Sequence, residues 1–314
     1  MKSAIEKAKK ASISNSSVLI YGETGCGKEV FAQSIHYNGL RKDKPFIPIN
    51  CAAIPAALLE GMLFGTEKGS FTGAENKKGL FEEANRGTIL LDEVNSMEPY
   101  LQSKLLRVLQ DGYIRPVGSS KVIDCDVRVI ATLNEEPEKL IESGKLRKDF
   151  YYRLSVIRLN IPPLRERKED IPILLDKFIE NYNKILDKNI IGIDKDVMEK
   201  LIEYNWPGNI RELKNAIESS MNMADNNSIL SYWHFEPKIF SKPLNETQID
   251  IENLIIDKNH NFDLEQYIGK IEKEIIKRTL KNNQYNVSRT SKQLNVSRQN
   301  LQYKIKKYNI NKID

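Results

Sequence analysis

Short apolar runs alternate with helical stripes along the first half of the chain. Val18-Leu19-Ile20-Tyr21, Thr88-Ile89-Leu90-Leu91 and Val127-Arg128-Val129-Ile130-Ala131 each read as a buried strand, and Pro48-Ile49-Asn50-Cys51 ends another. Val30, Phe31, Ile35 and His36 recur at helical spacing between the first two runs. This part of the chain reads as an α/β core. Residues 241–262 are polar and rich in Asn and Asp, which marks a linker. Beyond it, Leu264, Ile268, Ile271, Ile275 and Leu280 form a second helical stripe. Asn286 to Leu294 gives a short helix, and Asn295-Val296-Ser297 gives a turn in which Asn tolerates a left-handed backbone. Ser297 caps a last helix from Arg298 to about Tyr308, whose Leu301 and Ile305 face the core. A short helix, a tight turn and a basic helix make a helix-turn-helix pattern. The competing reading of this segment is a helical dimerisation hairpin.

Charge sharpens that picture. The 314 residues carry a net +5, and the segment from Asp263 to Asp314 holds twelve Lys and Arg against five Asp and Glu. That end is therefore +7 and the rest of the chain −2, an asymmetry that points to nucleic acid at the C-terminus. Cys26, Cys51 and Cys125 are far apart with no CxxC pair, so neither a zinc site nor a disulfide framework is expected, and a reducing cytoplasm fits. No apolar run is long enough to span a membrane, and no secretory leader follows Met1-Lys2-Ser3.

The chemistry begins after the first strand. Gly22-Glu23-Thr24-Gly25-Cys26-Gly27-Lys28 fits GxxxxGK: glycines let the backbone wrap phosphates, and Lys28 reaches the outer ones. Glu29 stands where the general pattern has the Ser or Thr that holds magnesium. Asp92 and Glu93 end a strand, a placement suited to holding Mg2+ (Asp92) and activating water (Glu93). Trp206-Pro207-Gly208-Asn209-Ile210-Arg211 places Asn209 in a helix N-cap region and Arg211 in the first turn, facing the phosphates, with Trp206 as core packing.

A rarer run, Gly69-Ser70-Phe71-Thr72-Gly73-Ala74, lies between the phosphate loop and the acidic strand. Two glycines around Phe71 let an aromatic ride on a mobile tip. With Leu63-Phe64-Gly65 and Glu67-Lys68 before it, the run resembles the GAFTGA loop of bacterial sigma-54 activators, with Ser70 in place of alanine. Arg147 and Arg153 in Arg147-Lys148-Asp149-Phe150-Tyr151-Tyr152-Arg153-Leu154, and the string Leu159 to Arg167, are also similar to that AAA+ family.

The resemblance implies a P-loop ATPase core with a parallel sheet over residues 1–160, a helical lid over 161–240, a linker over 241–262 and a Fis-type helix-turn-helix over 263–314. It implies that Asn50 restrains Glu93 until nucleotide and target are sensed, although from the sequence alone the residue reads as an ordinary helix-cap or turn asparagine. It makes Asn134 the first sensor, with Leu133 where the family has threonine, and Arg211 the second. Arg147 and Arg153 become fingers that complete the ATP site of a neighbouring subunit. Gly69 to Ala74 would touch sigma-54, with a second insertion from Arg115 to Asp124 beside it. On the last helix, Arg298, Gln299, Asn300 and Gln302 would read base edges from behind the Ser297 cap, while Lys304, Lys306 and Lys307 hold phosphates.

The implied protein is an ATP-hydrolysing activator that uses ATP and Mg2+. It binds double-stranded DNA upstream, pairs through its C-terminal domain and forms a ring, a hexamer, through its ATPase domain. It then remodels sigma-54 RNA polymerase holoenzyme in the bacterial cytoplasm, near the nucleoid and away from membranes. Members carry an N-terminal sensory domain. This chain starts just before the P-loop strand, so regulation is external or the residues belong to a longer protein. Two rivals differ in class. A replication initiator joins an ATPase to a helix-turn-helix but has no use for Gly69–Ala74, and a non-enzymatic regulator would be favoured only by Ser70 and Leu133.

Overall fold

The computed structural model describes residues 1–70, 74–240, 269, 272–273, 275–277, 279–280, 283, 285–308 and 310. The chain divides into two compact units, Met1–Lys242 and Pro243–Asp314. The first opens with α1 (Lys2–Ser12), β1 (Val18–Tyr21), α2 (Lys28–Tyr37), β2 (Phe46–Asn50) and α3 (Ala56–Phe64). A two-strand ribbon, β3 (Gly65–Thr66) with β4 (Lys77–Lys78), precedes α4 (Leu80–Glu83) and β5 (Thr88–Asp92). Next come α5 (Pro99–Asp111) and a second ribbon, β6 (Tyr113–Ile114) with β7 (Ile123–Asp124). Then β8 (Arg128–Leu133), α6 (Pro137–Glu142), α7 (Lys148–Leu154) and β9 (Ile157–Asn160) close the core.

Five strands pair in the order β2-β5-β8-β1-β9, all parallel. Parallel strands need helical crossovers, so both faces are covered and the strand interiors become continuously apolar. Leu19, Ile20, Ile89, Leu90, Leu91, Ile130, Ala131 and Leu159 are fully buried as a result. Each buried Leu or Ile contributes about 1.5–3 kcal/mol. The chain leaves β1 for the far edge at β2 and returns, so strand order reverses beside β1. Ligands of open α/β sheets bind at such a point, outside the carboxyl ends of the strands. In α2 the helical stripe is only partly inward: Ile35 and His36 are buried while Val30 faces out.

A second apolar cluster follows the sheet, built from α8 (Asp170–Leu186), α9 (Lys195–Glu203), α10 (Asn209–Met223) and α11 (Pro237–Phe240), with the short pair β10 (Gly192–Ile193) and β11 (Ile229–Leu230). Trp206 is its largest buried side chain, and the indole N–H donates to the Leu201 carbonyl at 2.7 Å.

In the second unit, α12 (Val287–Gln293) and α13 (Arg298–Lys307) pack on Ile276, Leu280 and Leu301. The turn between them has Asn295 at φ +53°, the left-handed conformation that Asn accepts at low cost. The expected stripe through Ile275 is shifted by one residue. Ile276 is buried and Ile275 is half exposed, because Ile276 and Leu280 lie four apart on the face that meets Leu301. Leu264, Ile268 and Ile271, the linker 241–262, and Phe71, Thr72 and Gly73 lie outside the described residues.

Candidate nucleotide site and recognition surfaces

Residues 22–28 turn from β1 into α2, with Gly22, Gly25 and Gly27 all at positive φ. At Gly25 the reason is proximity: a Cβ there would stand 2.3 Å from the Gly208 carbonyl oxygen. Lys28 is buried, and its ammonium donates to the carbonyls of Gly22 at 2.7 Å and Glu23 at 3.1 Å. Glu29 is exposed in the first turn of α2, where its carboxylate accepts from Gln33 at 3.2 Å. The Glu23 carboxylate accepts from both terminal nitrogens of Arg165 at 2.6 and 2.8 Å, and that hydrogen-bonded guanidinium holds it below the usual carboxylate range. Cys26 is buried, which pushes its thiol up.

The acidic strand end lies two strands away. Thr132, one residue before the position the family pattern singles out, donates its hydroxyl to Asp92 Oδ1 at 2.5 Å. The Thr132 hydroxyl oxygen in turn accepts from the Glu93 backbone N–H at 2.9 Å. Thr132 thereby fixes both acids, with Glu93 in a left-handed backbone at φ +55°. Leu133 is fully buried and pairs across the sheet with Tyr21, while Asn134 accepts from Asn95 at 3.0 Å. Asn50 sits beside Asp92 in strand register, but its carboxamide oxygen accepts from the backbone of Ala52 and Ala53 at 2.9 and 3.2 Å. In this conformation it caps its own turn and does not hold Glu93.

Arg147, which precedes α7, and Arg153, in its last turn, are both exposed. Arg147 pairs with Asp149 at 2.8 Å, and Arg153 donates to the Leu109 carbonyl at 3.0 Å. Arg211 is exposed and lines a cavity of about 490 Å³ with Thr24, Gly208 and Glu212. Asn209 departs from the expected N-cap. Gly208 takes that position, and Asn209 is fully buried at φ +53° with its side chain turned toward the phosphate loop. Its oxygen accepts from Leu164 N–H at 2.8 Å, and its nitrogen donates to the Thr24 carbonyl at 3.1 Å and to Glu23 at 3.2 Å. Sequence reasoning also missed Arg167, a buried arginine whose Nη2 donates to the Cys26 carbonyl at 2.8 Å.

The two insertions meet at their bases. Val117 N–H donates to Gly65 O at 2.9 Å, and Glu67 N–H to Val117 O at 3.1 Å. Gly118 lies so close to Ser70 that a Cβ on it would stand 2.4 Å from the Ser70 Cβ. The Ser70 hydroxyl is buried there without a partner, so alanine would lose no hydrogen bond at that position. Gly69 has open space around it, and Ala74 is buried.

In the second unit, Ser297 Oγ accepts from Asn300 N–H at 3.2 Å, and Asn286 caps α12 in the same way. Arg298, Gln299, Asn300, Gln302, Lys306 and Lys307 are exposed on α13. Lys304 is tied to Glu272, which also accepts from Tyr308 at 2.6 Å, so its ammonium stabilises the unit rather than standing free. No helix among the described residues is long and apolar enough to cross a membrane.

Comparison with known proteins accounts for this arrangement. The family profile for the Sigma-54 interaction domain matches residues 1–160, that for the AAA+ ATPase lid domain residues 165–251, and that for Bacterial regulatory protein, Fis family, residues 267–308. Transcriptional activator RocR of Bacillus subtilis is 46% identical over 97% of this chain and 66% of its own length. Regulatory protein AtoC of Escherichia coli is 41% identical over 97% of this chain and 65% of its own length. The chain thus spans just under two thirds of these curated relatives. The crystal structure of NtrX from Brucella abortus in complex with ATP aligns with TM-score 0.71 and 30% identity, over 98% of this chain and 67% of that one. The chain belongs to the sigma-54 interaction family of AAA+ proteins, with an AAA+ lid and a Fis-type helix-turn-helix after the core.

Proposed function

We propose that the chain is an ATP-hydrolysing transcription activator that binds upstream double-stranded DNA, assembles into a hexameric ring and remodels sigma-54 RNA polymerase holoenzyme to open promoters. One observation carries the reading: the strand beside the acidic end of β5 runs directly, through the single helix α3, into the Gly69–Ala74 insertion. A change at Asp92 and Glu93 therefore has a short path through Asn50 to the insertion. In this reading Lys28 and the loop N–H groups hold the phosphates, Glu93 activates water, and Asn134 and Arg211 report the outermost phosphate. Arg147 and Arg153 are both exposed, bonded to Asp149 of α7 and Leu109 of α5, and exposed guanidinium groups suit a role in a neighbouring subunit's site.

Magnesium fits the oxygen chemistry of Asp92, whose Oδ1 is already oriented by Thr132. Among the described residues no cluster of three acids, His or Cys could hold a metal unaided. Mg2+ would accordingly be held by Asp92 together with nucleotide phosphates, whose developing charge it neutralises. On the DNA side, Arg298, Gln299, Asn300 and Gln302 read base edges, and Lys306 and Lys307 hold phosphates. The C-terminal unit pairs two chains on a two-fold site, and the protein works in the cytoplasm at the nucleoid.

The test is sigma-54 binding in the presence of ADP and aluminium fluoride, a mimic of the hydrolytic transition state. The Phe71→Ala variant should lose that binding while retaining ATPase activity. Undiminished binding would contradict the assigned role of the insertion.

A further inference from the structure

Four consecutive residues of the phosphate loop are each held by a group from the segments that follow the sheet. The Glu23 carboxylate takes both arms of Arg165, at 2.6 and 2.8 Å. The Thr24 carbonyl takes the Asn209 amide at 3.1 Å, and the Gly25 carbonyl takes Ile210 N–H at 3.0 Å. The Cys26 carbonyl takes the buried Arg167 guanidinium at 2.8 Å. The loop therefore has little freedom to change shape while the start of α10 stays where it is.

Asn209 is the node of this arrangement. Its oxygen anchors the Leu164–Glu166 turn through Leu164 N–H, and its nitrogen spans Thr24 and Glu23. Those contacts use its donors and one acceptor, so the side chain is committed within the protein. The left-handed backbone at Asn209 turns the side chain back to the loop and launches α10 two residues before Arg211. The position of Arg211 relative to the loop is thus set through Asn209.

We infer that Asn209 is a positioning residue that couples the pose of α10 to the shape of the phosphate loop, and through Arg211 sets the preference for nucleoside triphosphate over diphosphate. The inference rests on the ATP reading above. Asn209 touches no phosphate itself; it acts through Thr24, Glu23 and Arg211. Arg167 is a buried support farther along the loop, at Cys26.

The experiment measures the affinities of fluorescent ATP and ADP analogues for the full chain and for Asn209→Gly, Arg211→Ala and the double variant. Glycine retains the positive φ and removes only the side chain. Loss of the buried hydrogen bonds should weaken ATP binding about tenfold and ADP binding less. In the Arg211→Ala background the same substitution should no longer alter the ATP-to-ADP ratio.

A companion variant, Asn209→Asp, retains the acceptor for Leu164 but sets a second carboxylate against Glu23. It should lose discrimination as glycine does, and adding Glu23→Gln should restore part of it. This pair gives the same answer should the glycine variant fail to fold. Equal weakening of ATP and ADP, or an unchanged effect of Asn209→Gly in the Arg211→Ala background, would reduce Asn209 to scaffold and overturn the inference. Failure of the unsubstituted chain to bind either nucleotide would overturn the ATP reading and this inference with it.

Discussion

The two units treat their polar side chains in opposite ways. Around the phosphate loop, Lys28, Glu23, Asp92, Asn209 and Arg167 are each tied into the protein by hydrogen bonds. On α13, Arg298, Gln299, Asn300 and Gln302 are exposed, and stability comes from elsewhere in the unit. Leu301 fills its core, Asn286 and Ser297 cap its helices, and Glu272 clasps Lys304 and Tyr308. A preorganised site fixes small phosphate groups with little reorganisation. A recognition helix leaves its donors unsatisfied so that base edges and phosphates can complete them. The nucleotide unit is thus built to hold its ligand's geometry, and the C-terminal unit to receive its partner's.

The largest effect that can break this contrast is loss of the smaller core. Leu301→Ala should cost about 2–5 kcal/mol and unfold the C-terminal unit. Specific DNA binding should disappear while nucleotide affinity stays within twofold. Thermal unfolding followed with and without ATP reads both, and loss of nucleotide binding would show that the units depend on each other. Next in size, Lys28→Ala removes a charged donor from the loop and should weaken ATP binding about a hundredfold. DNA affinity measured by fluorescence anisotropy should not move, and intact ATP binding would refute the phosphate-loop assignment. Smallest is Ser297→Ala, which removes one cap and should lower the stability of the C-terminal unit by about 1 kcal/mol. Chemical denaturation checks it, and no change would mean that the cap is idle.

Much of this was readable from local patterns. Gly22 to Lys28, the acidic end of β5, the Asn295 turn and the Ser297 cap all declare themselves within a few residues, because each is a local backbone requirement. The missed features are long-range. Asn209 meets Glu23 across 186 positions, and Thr132 meets Asp92 across 40. No periodicity announces a hydroxyl or carboxamide whose partner is that distant. Gly and Pro before Asn209 point to a cap from sequence alone. The left-handed backbone of Asn209 follows Gly208, whose carbonyl crowds Gly25 across the loop, a contact no local pattern announces. A place on a basic helix makes Lys304 look like a phosphate ligand, because its acidic partner lies 32 residues earlier. The apolar spacing alone draws the helical stripe through Ile275. Only the position of Leu301 shows that Ile276 is the buried residue.

The central claim is that hydrolysis in one unit drives promoter melting on DNA held by the other. Its most direct test combines the chain, sigma-54 polymerase and a sigma-54 promoter, with melting read by permanganate reactivity. Opening should require hydrolysable ATP and vanish with Glu93→Gln, which should still bind ATP. Opening that proceeds with Glu93→Gln, or robust ATPase that never opens the promoter, would contradict the account.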